Sequence, residues 1–423
     1  MTFLADLDPD EVQARFAWAK RRGLSKWLWP DIQPARWRAA LSEIESALRH
    51  ILSDQPGDTL LDGDPRVLSL AAYTSGTGPL LGHFAESGKL RAAGSVSAML
   101  AFHLTHNRDR MKMLRQEAMT AAGLLADKGI HPIVAKGMHT AFTYFPEPGC
   151  RPVSDIDLIV RPEELERAEE IFRSHGYRGT VLSRVPYQCD WTRADPQTFP
   201  RSLLHVHAGD PWSIDLQTTL DRHLTDLAIV PLDRSASSRQ LATWPVSGDA
   251  RVLKQPLLLA LLAAHASQHL INLSLMRLVE LALVIRADKA SGALDWNALM
   301  LLVNEIGPRY LYPAFFACEK LVPGTMDPAV LRVCEADAPA GLRRLLARRA
   351  VSNLQPLDRL SLAERYMWIS GWGNRLRRIA NELDPGRHNR TPMKAIAVYL
   401  KRARSLRHAF VNPDRPTRNG RET

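Results

Sequence analysis

Apolar residues recur every three or four positions over most of this chain, which is the spacing of amphipathic helices. The pattern covers residues 11–52, 67–75 and 93–129, and it returns through much of the last third of the chain. It predicts a helical N-terminal region over 1–100 and a helical C-terminal domain over 246–400.

A different pattern separates these two regions, with short apolar runs between loops that contain Pro and Gly. Alternating apolar runs bounded by such loops are typical of β-strands. The predicted strands lie within 131–137, 155–160, 202–208 and 212–219, with an amphipathic helix at 161–177. A Gly-Asp pair between the last two runs predicts a hairpin. The sequence therefore predicts an α+β module with a mixed sheet and flanking helices over 101–245.

Composition narrows the class of protein. The chain is 45% apolar and 24% charged, as in globular proteins, and its 423 residues predict more than one core. The most apolar run, 256–264, ends at His265, well short of the ~20 residues of a transmembrane helix. The N-terminus lacks the pattern of a signal peptide. Four cysteines without metal-ligand spacing favour free thiols in the cytoplasm and disfavour a zinc site.

Positive charge is concentrated at the C-terminal end. The formal net charge is +10, yet residues 341–423 hold 19 of the basic residues and 6 of the acidic ones. The rest of the chain is therefore slightly acidic. The basic helices form either a solvated surface or a contact for RNA, an anionic membrane surface or an acidic partner. Residues 401–423 are predicted to be a basic, disordered tail.

Two acids stand unusually close within one predicted buried strand. Asp155 and Asp157 are two positions apart, so both side chains project from the same face of the strand. Adjacent carboxylates repel each other unless a cation lies between them, which favours a hard divalent metal. Asp215, in a second apolar strand, completes a triad if the two strands pair. The alternative is that Asp155 caps the strand while Asp157 and Asp215 face solvent.

Residues 133–177 and 212–217 carry a resemblance to a known family. The order of Lys-Gly, Arg-Pro-x-Ser-Asp-x-Asp and Ile-Asp-Leu resembles the nucleotidyltransferase superfamily that has the DNA polymerase beta palm. More narrowly, the chain is similar to poorly characterised bacterial nucleotidyltransferases over about 100–320. The resemblance implies a polymerase-beta-like palm between helical regions, two magnesium ions, and an NTP such as ATP as co-substrate.

The resemblance also implies roles for individual residues. Asp155, Asp157 and Asp215 would ligate magnesium, and Asp215 would also accept a proton from the acceptor hydroxyl. The implied nucleotide- and phosphate-binding residues are Lys136, Gly137, Arg151 and Ser154. A helix that begins at Lys-Gly suits a triphosphate, because its free amides and its dipole face the anion.

Two departures from the superfamily pattern leave the donor nucleotide open. Lys136 and Gly137 stand where most relatives have Gly-Ser. Gln217 stands where the usual motif, Ile-Asp-Leu-His, has histidine.

Several other polar residues are candidates for contact with the acceptor or for support of the metal ligands. His205 and His207 share one strand face, and they either bind metal, contact the acceptor or pack. His269 and Arg277 either contact nucleotide or acceptor, or belong to the core. Glu280, three residues after Arg277, could form a solvated pair with it.

The predicted function is magnesium-dependent transfer of a nucleoside monophosphate from an NTP to a hydroxyl of an unknown acceptor, with release of pyrophosphate. The acceptor is a small molecule, sugar or peptide in the leading interpretation. The alternatives are a toxin-like enzyme that acts on tRNA or protein, and a module that binds a nucleotide without turnover.

Overall fold

The computed structural model describes most of the chain between residues 32 and 354, together with four residues beyond it. The described residues are 32–53, 60–184, 187–193, 212–225, 228–235, 240–268, 270, 273–354, 373–374 and 376–377. The predicted strand 202–208, with its hairpin, and the predicted tail 401–423 lie outside them.

Helices make up both ends of the described chain. The N-terminal helices are α1 (Pro34–Leu52), α2 (Pro65–Ser75), α3 (Gly78–Glu86) and α4 (Gly94–Ala126). The C-terminal helices are α7 (Leu257–Gln268), α8 (Leu275–Ser291), α9 (Trp296–Ile306), α10 (Tyr312–Leu321), α11 (Pro328–Asp337) and α12 (Ala340–Arg348). Their ends follow local chemistry. In α2, for example, the Asp64 side chain accepts from the amides of Arg66 and Val67, and Gly76 ends the helix with φ 75°.

A seven-stranded mixed sheet lies between the helical ends, in the order β10-β11-β3-β4-β7-β6-β5. Its strands are β3 (Ile133–Val134), β4 (Asp155–Ile159), β5 (Tyr177–Arg184), β6 (Tyr187–Arg193), β7 (Ser213–Gln217), β10 (Leu241–Thr243) and β11 (Arg251–Leu253). The flanking helices are α5 (Lys136–Thr143) and α6 (Leu165–Ser174). Two small ribbons pair β1 (Leu60–Leu61) with β2 (Arg91–Ala92), and β8 (Arg222–Thr225) with β9 (Ala228–Val230). The predicted α+β fold with a mixed sheet and flanking helices is therefore confirmed.

The central strands β4 and β7 are five residues long, and successive residues lie on a core face and on the face that carries the acids. Ile156, Leu158, Ile214 and Leu216 are fully buried on the core face. The two strands run parallel, and Ile156 lies opposite Ile214 in the ladder. The residues between them therefore share the other face of the sheet.

Two hydrophobic cores hold the described residues together. One combines α1, α2, α3 and the first part of α4 with the C-terminal helices. The other contains the buried face of the sheet, α6 and the second part of α4. The helical regions predicted at the two ends of the chain thus share a core, and α4 runs from it into the module. The domain boundaries at 100, 245 and 400 stay predictions.

The structure also bears on two predictions from composition. All four cysteines are buried free thiols. Among the described residues, none of the helices is long and apolar enough to cross a membrane.

Candidate active site

Three carboxylates meet at the polar face of the two central strands. Asp157 lies opposite Asp215 in the parallel β4–β7 ladder, and Asp155 is two residues before Asp157 on the same face of β4. Oxygen atoms of all three side chains lie within 4.8 Å of one another. Asp157 and Asp215 are 4% and 3% exposed. The sequence thus folds its three acids into one site, because β4 and β7 pair in this register and the apolar residues that alternate with the acids occupy the opposite face.

Lys136 supplies a cation to this group. It is separated from β3 by Ala135 alone and is the first residue of α5, and its ammonium donates a hydrogen bond to Oδ1 of Asp157. Its φ of 48° is in the left-handed region, which a non-glycine residue adopts only where its surroundings enforce it. Its side chain forms a buried ion pair with Asp157. Lys136 is therefore held inside the site and not on the surface.

Burial and mutual repulsion raise the affinity of the acids for protons. Burial raises the pKa of Asp157 to about 6, Lys136 opposes the shift, and the charges of Asp155 and Asp215 add to it. Burial also raises the pKa of Asp215, again against the effect of Lys136. One lysine therefore does not compensate the negative charge of the site.

The donor set suits a hard divalent cation. All three side chains offer carboxylate oxygens at short mutual distances, which is the coordination that magnesium prefers. Oδ1 of Asp215 is buried, and none of the described residues donates a hydrogen bond to it. A buried carboxylate oxygen without a hydrogen-bond donor costs free energy unless a bound ligand takes the place of the donor. Magnesium held by Asp155, Asp157 and Asp215 would satisfy this atom.

Two glutamines donate hydrogen bonds to carboxylate oxygens of the acids. The amide nitrogen of Gln217 donates to Oδ2 of Asp215 and, at 3.3 Å, to Oδ1 of Asp157. The amide nitrogen of Gln188 donates to the same Oδ2 of Asp215 at 2.9 Å. Gln217, which stands where histidine was expected from the superfamily, is thus a direct partner of two of the acids.

The residues predicted to bind phosphate surround the acids and already have protein partners. The Ser154 hydroxyl donates to Oδ1 of Asp155 at 2.8 Å. The guanidinium of Arg151 forms a bidentate pair with Glu280 of α8, at 3.2 and 3.0 Å. Gly137 is the second residue of α5, and a Cβ atom there would lie 3.0 Å from Val153. Glycine therefore allows the start of α5 to pack closely against the loop before Asp155.

Arg277, on the first turn of α8, lies near the same group. Burial lowers its pKa to about 10, with a further decrease from the neighbouring Arg151. Its Nη1 atom is buried and, within the described ranges, has no hydrogen-bond partner. Glu280 bonds to Arg151 and to the Thr140 hydroxyl, so its pairing is not the solvated contact with Arg277 predicted from helix spacing.

Three of the predicted candidates, His205, His207 and His269, lie outside the described residues.

The structure adds residues that sequence reasoning missed. Asp190 lies opposite Asp215 in the antiparallel β6–β7 ladder, and burial together with the charges of Asp215 and Asp155 raises its pKa. Gln188 is two residues before it on the same face, and Arg222 donates to Gln217 at 3.0 Å. Residues 187–193 alternate between the two faces of the strand: Gln188 and Asp190 lie on one face, and the buried Cys189 and Trp191 lie on the other. This alternation is a signal that could have identified the strand.

The comparison with models of known protein families gave a match that covers most of the described chain. A family model described as an uncharacterised nucleotidyltransferase matches residues 63–322, which include every described residue of the site. The chain belongs to this nucleotidyltransferase family. Membership implies transfer of a nucleotidyl group with an NTP as substrate. Neither the curated proteins nor the solved structures compared with this nucleotidyltransferase gave a match.

Proposed function

We propose that this protein transfers a nucleoside monophosphate from an NTP to a hydroxyl group of an acceptor, with magnesium as cofactor and pyrophosphate as the leaving group. The acceptor class we favour is a small molecule, a sugar or a peptide. The supporting observation is the convergence of Asp155, Asp157 and Asp215, with one buried oxygen of Asp215 left without a donor.

The acids would hold two magnesium ions, and the bound metal would supply positive charge for the triphosphate and help to orient its α-phosphorus for in-line attack. The protein's own residues would then position the acids and balance their charge. Ser154 and Gln217 fix oxygens of the acids by donating hydrogen bonds to them. Asp215 would take the proton of the acceptor hydroxyl, a role that its place opposite Asp157 in the β4–β7 ladder supports.

The start of α5 is the proposed anion-binding element. Lys136 and Gly137 are its first two residues, so their position combines a lysine ammonium with the positive end of the helix dipole. The ammonium contacts Asp157 and is therefore next to the place where metal-bound phosphates would lie. Arg277 adds a second cation on the side of α8, with an Nη1 atom still without a partner.

We also propose a cytoplasmic location, which four buried free thiols support. A partner for the basic C-terminal segment, RNA or an acidic protein, stays a prediction, because most of that segment lies outside the described residues.

The reaction is tested with each of the four NTPs labelled at the α-phosphate, magnesium, and a metabolite extract as the source of acceptor. We expect label transfer and pyrophosphate release from wild type, and loss of both in Asp155→Ala/Asp157→Ala. Asp109→Ala is the matched control, since Asp109 is an exposed acid paired with Lys112. It should behave as wild type.

Equilibrium binding of a non-hydrolysable NTP analogue with magnesium accompanies this assay. Absence of NTP binding by folded wild type would overturn the proposal. Binding without turnover in any extract would favour the nucleotide-binding module instead.

A further inference from the structure

The side-chain amide of Gln217 lies between Arg222 and two of the acids. The Nη1 atom of Arg222, at the start of β8, donates to Oε1 of Gln217 at 3.0 Å. The Nε2 atom of Gln217 then donates to Oδ2 of Asp215 and to Oδ1 of Asp157. One amide therefore accepts from a cation on one side and donates to two anions on the other.

The opposite orientation of this amide is excluded by its neighbours. A flipped Gln217 would direct its NH₂ group at the Arg222 guanidinium, which only donates, and its oxygen at two carboxylates, which only accept when ionised. Both sides would lose their hydrogen bonds and gain repulsion. Arg222 thus selects the one orientation in which Gln217 binds the acids.

The surroundings of Arg222 agree with a role at the site and not on the surface. Its side chain is buried, with 7% of the residue exposed, and its Nε and Nη2 atoms have no hydrogen-bond partner in the part of the chain that the structure describes. The acids that act on it electrostatically are Asp157, Asp215, Asp233 and Asp221. A buried arginine with unused donors is costly on its own, so compensation by the nearby acids accounts for its presence.

The hydrogen bonds divide the two oxygens of Asp215 into different roles. Oδ2 accepts from both Gln188 and Gln217, whereas Oδ1 has no partner. The rotation of the carboxylate is therefore fixed by the glutamines, and Oδ1 is the oxygen left for a cation. Partners behind metal ligands commonly set ligand orientation in this way.

We propose that Arg222 is a positioning residue that acts through Gln217: it orients the amide that fixes Asp215 and Asp157 for metal binding. This inference rests on the proposed function, since it concerns the same metal site. Arg222 itself contacts neither metal nor substrate in this role.

A double-mutant cycle on metal affinity tests the proposal. Mn²⁺ replaces Mg²⁺, because its binding can be followed directly by electron paramagnetic resonance without any turnover. We expect Arg222→Met and Gln217→Met each to weaken Mn²⁺ binding by about tenfold, at the lower end of the range for partners behind metal ligands. The double variant should also lose only about tenfold, because removal of Gln217 leaves Arg222 with nothing to orient.

Arg167→Met is the matched control within the same module. Arg167 is exposed and donates only to the carbonyl of Lys128, so Mn²⁺ affinity should stay at the wild-type value. Thermal unfolding of each variant verifies folding. Should Arg222→Met fail to fold, the shorter and neutral Arg222→Gln takes its place in the cycle, with the same expected result.

The outcomes separate this inference from the proposed function. If wild type binds Mn²⁺ and the losses multiply to about a hundredfold, Arg222 does not act through Gln217. Unchanged affinity in the arginine variant would also overturn the inference, and both leave the metal site intact. If folded wild type binds no Mn²⁺, the proposed function fails and this inference fails with it.

Discussion

The guanidinium of Arg151 and the carboxylate of Glu280 form a buried bidentate ion pair, 129 residues apart in sequence. Their side chains are 15% and 5% exposed. Arg151 lies in the loop before Asp155, and Glu280 lies on α8. The pair therefore ties the strand that carries two of the acids to the C-terminal helices.

Breaking this pair should cost considerable stability. Glu280→Gln keeps the shape of the side chain but removes its charge, which leaves Arg151 buried beside Arg277. We expect the free energy of unfolding to fall by about 3 kcal/mol, as for other buried pairs that lose one partner. Urea denaturation measures it.

The control for this experiment is a surface pair. Arg36→Met removes an arginine that is 56% exposed and paired with Asp64, and it should cost less than ~1 kcal/mol. Equal losses in the two variants would show that the buried pair is not a structural tie.

Lys136 is expected to matter for nucleotide affinity. Lys136→Met removes the ammonium at the start of α5, so an NTP loses a cation next to its phosphates. We expect the Kd of a fluorescent NTP analogue to rise about tenfold, which is about 1.4 kcal/mol. Lys112→Met, at a side chain 77% exposed, is the control and should leave the Kd unchanged. An unchanged Kd for Lys136→Met would remove α5 from the proposed phosphate site.

The convergence of the three acids was predictable because its signal is local. Asp155 and Asp157 share a face by the two-residue period of a strand, and Asp215 lies in a second run of the same kind. Lys136 was recognisable through its Lys-Gly motif. These inferences need only the neighbouring residues and the assumption that two strands pair.

The partners of the acids were not predictable, because they depend on strand order and on tertiary packing. Asp190 joins the site only because β6 pairs with β7 in one particular register. Glu280 meets Arg151 only because α8 packs on the module. Helix periodicity shows that a face is apolar but not what covers it, so the core shared by the two ends of the chain was missed as well.

Buried His103 should make the protein sensitive to acid. Its Nε2 atom bonds to the Ser69 hydroxyl, and burial, helped by His106, lowers its pKa to about 4 from a usual value near 6.5. Between these values the unfolded chain binds the proton and the folded protein does not, so stability falls as the pH decreases. At pH 5 the loss from this one histidine is about 2 kcal/mol relative to pH 7.

His103→Gln removes this contribution, and the difference in unfolding free energy between pH 7 and pH 5 should shrink accordingly. His175→Gln, at an exposed histidine, should keep the wild-type difference. Urea denaturation at both pH values decides between them. If both variants keep the wild-type difference in unfolding free energy between pH 7 and pH 5, His103 takes up a proton in the folded state.

The contact between α3 and α4 depends on the absence of a side chain at Gly82. A Cβ atom there would lie 2.5 Å from the backbone oxygen of Leu100 and 3.0 Å from Cβ of Leu104. Backbone atoms of a helix cannot move as a flexible side chain does, so Gly82→Ala should separate the two helices and cost about 2 kcal/mol. Gly94→Ala, where a Cβ atom would meet nothing within 4 Å, should change stability by less than ~0.5 kcal/mol. Urea denaturation measures both, and a Gly82→Ala variant as stable as Gly94→Ala would mean that α3 and α4 do not pack as closely as described.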